Sequence, residues 1–289
     1  MAAAEPLELE ARALQAARLF TGQREYEMHC FDLAAGRVAV ASVGDPNKPR
    51  PNEDSAAILP VNDTHLVLAV ADGVGGLAGA RAASNTTVKE IQKALKTADT
   101  ATAASLRTAI LDGIEAANQA VMNSGHGGAS TLALAEIGPD YVRTYHVGDS
   151  ILLVCGQRGL LKLQTTPHSP VGFAMEAGLI NEKEALQHEE LNLIFNVIGS
   201  VDMRIEIGSE QRLAARDTLL LASDGLADNL LIKEIVGAIR KGPLNDAIQS
   251  LTATALGRMA EEQPGKPSKP DDYTAMLFRR PTPRRRPRA

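Results

Sequence analysis

The 289-residue sequence has no tryptophan and only 3% aromatic residues. Its core must therefore be built from Leu, Ile, Val and Ala, and binding of nucleic acid by stacking bases on aromatic platforms is not favoured. There are two cysteines, Cys30 and Cys155, far apart and in apolar surroundings. That excludes a disulfide framework and a zinc-ligand spacing, and reads as two buried thiols of a cytoplasmic protein. No run approaches the roughly 18 apolar residues of a membrane span. Glu5, Glu8 and Glu10 stand where a signal peptide would be basic. The expectation is a cytoplasmic chain with no membrane partner.

What is present suits a sizeable core, since 44% of residues are hydrophobic. The net charge of −5 hides an asymmetry, because the last 11 residues, RRPTPRRRPRA, hold six arginines and no acid. Residues 280–289 are read as a solvated, disordered tail. The remaining body is correspondingly more acidic, which suits cation binding.

Leu7, Ala11, Leu14 and Ala17 recur at helical spacing and predict a short amphipathic helix over 5–20, within an N-terminal extension of residues 1–30. The main domain is expected over 31–279. Strands are expected at RVAVASV, AAILPV and HLVLAVA between Arg37 and Ala71, and two helical stripes follow, from Leu77 to Leu95 and from Leu106 to Val121. Further strands are expected at 130–137, 141–147, 150–156 and 160–165, joined by turns too short for crossovers, so that neighbours pair antiparallel. Residues 167–200 read as irregular with a small helix near 182–187. A strand at 217–223, helices near 231–240 and 243–260, a QPGKPSKP linker and a last strand at 273–278 complete the pass. The blocks of strands and helices imply an α+β fold with packed sheets.

The stretch VLAVADGVGGLAG superficially meets the glycine fingerprint of a dinucleotide site, following a strand and opening a helix. That fold needs a parallel strand ending in an acidic residue after the helix, whereas here a second helix and then hairpins follow. Acidic residues instead recur at strand ends or turns beside small residues, in NEDS (52–55), ADG (71–73), SDG (223–225) and DDYT (271–274). A charge placed there escapes burial in the sheet, and glycine lets the backbone turn sharply. Converging carboxylates repel unless a cation offsets them, and oxygen-only ligands select Mg²⁺ or Mn²⁺ over zinc.

Those motifs, together with GGAST (127–131), HVGDS (146–150) and ASDGLAD (222–228), resemble in order and spacing the bacterial-type metal-dependent Ser/Thr protein phosphatases, type 2C, over residues 37–278. Residues 167–199 are similar to that family's flap. The resemblance implies a four-layer αββα sandwich of two antiparallel sheets flanked by helix pairs, with a two-ion site at one end. It implies that Asp72 bridges two Mg²⁺ or Mn²⁺ ions, one of which takes the Gly73 carbonyl. Asp224 and Asp271 bind the other side of the pair, Glu53 and Asp54 hold waters of the ions, and Asp149 and Asp228 match positions that hold a third, weaker ion. The implied substrate is a phosphorylated protein, and the implied partner is a Ser/Thr kinase.

The sequence departs from the family pattern at several positions. The phosphate-gripping arginine is displaced, with Pro49 at its place and Arg50 one residue closer as the candidate. Val74 replaces a histidine, as in bacterial-type members. Asp-Asp stands where Asp-Asn is usual, which leaves Asp271 and Asp272 both open as the ligand. His168, in the flap segment, is a candidate general acid, His146 a core histidine and His126 a loop residue. These departures keep a second reading open, a catalytically weak or inactive module that regulates a partner protein.

Overall fold

Both faces of the segment Gly36–Val43 are buried. Val38 and Val40 turn to one side and Ala39 and Ala41 to the other, none more than 1% exposed. Period-two alternation with both sides apolar requires a sheet covered on both faces. The same holds for Leu66–Ala71. The computed structural model, which describes residues 11–22, 26–48, 50–74 and 78–281, meets this requirement with four layers.

The first strands are β1 (Ala11–Ala13), β2 (Arg18–Thr21), β3 (Glu27–Leu33), β4 (Gly36–Val43), β5 (Ser55–Pro60), β6 (Leu66–Ala71) and β7 (Gly73–Val74). The helices α1 (Ala78–Thr97) and α2 (Ala103–Asn123) follow. Then come β8 (Ala129–Ser130), β9 (Leu132–Ile137), β10 (Tyr141–Val147), β11 (Ile151–Cys155) and β12 (Leu161–Gln164). The short helices α3 (Pro170–Glu176) and α4 (Glu182–Ala185) lead to β13 (Glu206–Ile207), β14 (Gln211–Arg212) and β15 (Thr218–Ala222). The chain closes with α5 (Asp224–Ala227), α6 (Ile232–Ile239), α7 (Leu244–Ala260) and β16 (Tyr273–Arg279).

One seven-stranded sheet runs β1-β3-β4-β16-β15-β11-β12, and the second runs β13-β10-β9-β6-β5-β2 with β14 beside β10. Pairing is antiparallel except for the parallel edge pair β1 and β3. Val38, Val40, Ile58, Leu68, Leu221 and Phe278 fill the space between the sheets. On the outer face of the second sheet, Ile91 of α1 and Ile110 and Ile114 of α2 pack on Val67, Ala69 and Leu134. On the outer face of the first, Ile235 of α6 and Ile248 and Leu251 of α7 pack on Ala39, Ala41 and Leu220. The expected αββα sandwich is therefore present. Among the described residues, no helix is long and apolar enough to cross a membrane.

Three expectations change. The helix predicted over 5–20 is replaced, in its described part, by β1 and β2, which pair with β3 and β5. Apolar residues spaced three or four apart serve there as edge-strand contacts, with Ala11 against the outer core and Phe20 in the inner one. Residues 1–10 and 282–289, which include the rest of that helix and most of the arginine tail, lie outside the described residues, as do Pro49 and residues 75–77. Second, β10 and β11 are not sheet neighbours: the turn between them crosses from one sheet to the other. Gly148 makes that crossing with φ +99°, and a Cβ there would come within 2.7 Å of the Thr131 side chain. Third, the segment 167–200 carries a second helix, α3, with Ser169 Oγ accepting from Gly172 N–H at 2.9 Å and Pro170 at its first position.

Candidate metal centre

The register of the strands places the motif carboxylates at one end of the sandwich. Ser55 at the start of β5 lies opposite Ala71 at the end of β6, so Asp54 and Asp72 leave the second sheet side by side. In the first sheet, Ala222 at the end of β15 pairs with Ala275 near the start of β16 and with Ile151 at the start of β11. That brings Asp224, Asp271 and Asp149 to the same edge. Ser223 joins the two sheets there, its Oγ donating to Asp54 Oδ2 at 2.8 Å. Asp72 is fixed through its backbone: its N–H donates to Thr131 Oγ1 at 3.0 Å and its carbonyl accepts from Thr131 N–H at 2.8 Å.

Glycines make the close approaches. A Cβ on Gly73 would overlap the Ala80 carbonyl, and one on Gly225 the Asp272 carbonyl oxygen. Only a bare backbone lets α1 and β16 come this near to the strand ends that carry Asp72 and Asp224.

The electrostatics follow from this crowding. Burial first, and then the charges of Asp54, Asp224, Asp149 and Asp271, push the Asp72 carboxyl well above the ordinary carboxylate range. Asp54 and Asp149 are raised for the same reasons, burial ahead of neighbouring carboxylates. Asp228 rises to about 7 and Asp271 to about 6, again through burial and the charge of Asp224. Asp54 Oδ1 and Asp149 Oδ1 are buried without a hydrogen-bond partner. Oxygen donors that repel one another, two of them orphaned, are what a hard divalent cation would relieve. The residues present therefore fit such an ion.

Asp271 and Asp272 are separated by their partners. Asp272 is 4% exposed and fully engaged: Oδ1 accepts from Asp45 N–H at 2.7 Å, while Oδ2 accepts from Glu53 N–H at 2.9 Å and Arg50 Nη1 at 3.0 Å. Asp271 is half-buried and faces Asp224. Arg50 Nη1 also meets Glu53 Oε2 at 2.6 Å, so the candidate phosphate ligand stands between two acids at the rim.

A cavity of about 430 Å³ opens beside the cluster. Asp149, Asp224 and Asp228 line one end, and Met175, Leu186 and Leu191 of the 167–200 segment line the other. Glu182 of α4 ties that segment to the body by accepting from Ile232 N–H at 2.5 Å.

The candidate histidines are exposed or engaged by other groups. His126 is exposed, and His146 is buried with Nε2 donating to the Ser150 carbonyl at 2.8 Å. His168 is 6% exposed, and its Nδ1 accepts from Gly148 N–H and the Asn196 amide, at 3.0 and 2.8 Å. Its proton therefore sits on Nε2, which donates to Glu206 at 3.0 Å. His168 is thus a brace for the Gly148 turn rather than a general acid at the carboxylates. His146, His168 and Glu206 have ligand atoms within 4.8 Å of one another. With its proton on Nε2, however, the one ring lone pair of His168 is on Nδ1, where Gly148 and Asn196 already engage it.

A family model described as protein phosphatase 2C matches residues 46–263. The chain belongs to the protein phosphatase 2C family. Among similar proteins, the serine/threonine phosphatase stp of Listeria welshimeri is 29% identical over 185 residues, covering 61% of this chain and 73% of the relative. The structure of the Streptococcus agalactiae serine/threonine phosphatase superposes with a TM-score of 0.73 at 25% identity, covering 84% of this chain and 99% of that one. The catalytic domain of the phosphatase PstP, solved in complex with 2 manganese ions, shares the fold at a TM-score of 0.66 and 24% identity, covering 84% of this chain and 97% of that one.

Sequence reasoning missed the residues that support the phosphatase 2C carboxylates. Thr131 and Ser223 lie within the GGAST and ASDGLAD motifs and Asn229 just after the second, but no local signal marks them as supports of the carboxylates. Lys269 was absorbed into the linker, although a lysine two positions before a candidate acidic ligand is the kind of pairing that could have singled it out. Its Nζ lies 2.7 Å from Asp224 Oδ2, 2.6 Å from Asp228 Oδ2 and 3.7 Å from Asp271 Oδ2.

Proposed function

We propose that this protein hydrolyses phosphoserine and phosphothreonine monoesters on proteins with a pair of Mg²⁺ or Mn²⁺ ions held by Asp72, the Gly73 carbonyl, Asp224 and Asp271. The observation that carries the reading is the convergence of Asp54, Asp72, Asp149, Asp224 and Asp271 at one sandwich end, with buried oxygens left unpartnered. When bound, such a pair supplies Lewis acidity toward the phosphoryl oxygens and a hydroxide nucleophile near neutral pH. Asp72, anchored on both sides by Thr131, would hold both ions. Asp54, oriented by Ser223, and Glu53, oriented by Arg50, would hold waters of the ions, and Asp149 and Asp228 line the cavity end that corresponds to a third-ion position in the family. Arg50 orients the phosphate at the rim. No side chain need form a covalent bond with phosphorus, which fits a site without a nucleophilic Ser or Cys. The reaction implies a Ser/Thr kinase that loads the substrate. Two buried, unpaired thiols suit a reducing, cytoplasmic setting.

The test is phosphate release from phosphoserine and phosphothreonine peptides with Mn²⁺, Mg²⁺ or chelator, beside an Asp72→Ala control. Release that requires the cation and disappears in the variant is expected. Equal release from both proteins would overturn the reading.

A further inference from the structure

Lys269 is delivered into the acidic cluster by a fixed backbone. The Asn229 side chain, wholly buried, accepts from Lys269 N–H at 2.8 Å and donates to the Lys269 carbonyl at 2.8 Å and to the Gly225 carbonyl at 2.9 Å. Ser268, one residue earlier, is tied to the Arg258 carbonyl at 2.7 Å, and Pro270, one residue later, keeps Lys269 extended. The loop is therefore held at Ser268 and Lys269, and while Lys266 points away to pair with Glu234, the Lys269 side chain reaches the acidic cluster.

The ammonium makes two short contacts, to the Oδ2 atoms of Asp224 and Asp228, and a longer one to Asp271. Asp228 lies outside the carboxylates assigned to the ion pair, so the charge sits on the side of the cluster where Asp149 and Asp228 meet Asp224. Asp149 Oδ1 is buried there without a partner. A divalent ion needs carboxylate oxygens at about 2.0–2.6 Å. It cannot take the two Oδ2 atoms while an ammonium lies between them, because the positions overlap and the charges repel.

We propose that Lys269 is a built-in cation that fills the third-ion position between Asp224 and Asp228, so that this phosphatase operates with two divalent ions instead of three. The proposal rests on the ion-pair reading above. It makes the linker lysine a positioning residue: its ion pair holds Asp224, a ligand of the pair, against Asp228.

The experiment counts ions. Mn²⁺ is titrated into chelator-treated, full-length protein, with free Mn²⁺ followed by electron paramagnetic resonance and heats by calorimetry. The wild type is expected to bind two ions. Lys269→Met, which keeps the stem and removes the charge, is expected to bind a third in a separate, weaker step, and adding Asp228→Asn to it to return the count to two. Asp228→Asn alone, which tests the same point with the lysine in place, is expected to leave the count at two. A wild type that binds three ions, a Lys269→Met protein that gains none, or a lower count for Asp228→Asn alone would overturn the proposal. A wild type that binds fewer than two would overturn the ion-pair reading along with it, a result distinct from the others.

Discussion

Arg50 and Asp272 lie 222 positions apart in the chain and meet through Arg50 Nη1 and Asp272 Oδ2 at 3.0 Å. The contact belongs to a larger tie, because the same carboxylate also accepts from the backbone N–H groups of Asp45 and Glu53. Two departures from the family pattern, the displaced arginine and the acid in place of asparagine, thus occur as a matched pair. The second acid of the motif holds the loop that presents Glu53 and Asp54, and Asp271 is left to face the cluster.

A contrast between neighbouring acids checks this division. Asp272→Asn puts an amide NH₂ against N–H donors and should lower unfolding stability by about 2 kcal/mol, the cost of leaving buried partners unsatisfied. Asp271→Asn should change stability little and weaken Mn²⁺ binding instead. Denaturant unfolding and Mn²⁺ titration of the two variants separate the effects.

If Arg50 grips the phosphate, Arg50→Ala should raise KM for a phosphopeptide by about tenfold, the worth of one charge-assisted hydrogen bond, with a smaller change in kcat. Lysine should restore little of it, since an ammonium cannot reproduce the guanidinium fork. A variant with unchanged KM and reduced stability would make Arg50 a purely structural partner of Asp272 and Glu53.

Asp72→Asn should lower kcat by on the order of 10³, the equivalent of several kcal/mol of lost charge stabilisation. In chelator the same variant should unfold at a temperature no lower than the wild type, because it removes one member of a self-repelling cluster. Steady-state kinetics and thermal unfolding with and without Mn²⁺ read both effects.

Two groups outside the carboxylate cluster set an acid limit. Hydrogen bonds from Arg258, outweighing partial burial and joined by Lys266, hold Glu234 down at about 2. Burial, with His168 alongside, holds His146 at about 3. Both values are depressed in the fold, so each group's contribution is present above its unfolded value and is lost as pH falls toward the folded one. The stability gap between wild type and Glu234→Gln should be open at neutral pH and close between 4.5 and about 2. His146→Gln should flatten the stability loss between 6.5 and about 3. Denaturant midpoints across that range check the signs.

The parts of the site legible in the sequence were those with local signals. Asp72 and Asp224 each end a continuous apolar strand and precede a glycine, and the two helices after residue 77 carry unbroken apolar stripes. What stayed hidden depends on distant pairing. Nothing local to Ala11 announces Cys30 opposite it, and the spacing of Leu14 and Ala17 suits an edge strand as well as a helix. The short turn at Gly148 reads as a hairpin until the second sheet is known to lie behind it. Lys269 looked like a linker charge because its backbone is held by Asn229, 40 residues earlier.

Anomalous diffraction from crystals grown with Mn²⁺ tests the convergence of these carboxylates most directly. Two strong peaks bridged by Asp72, with the Gly73 carbonyl on one and Asp224 and Asp271 reaching the other, are the expected result. Maps in which Asp72, Asp224 and Asp271 share no cation would contradict it.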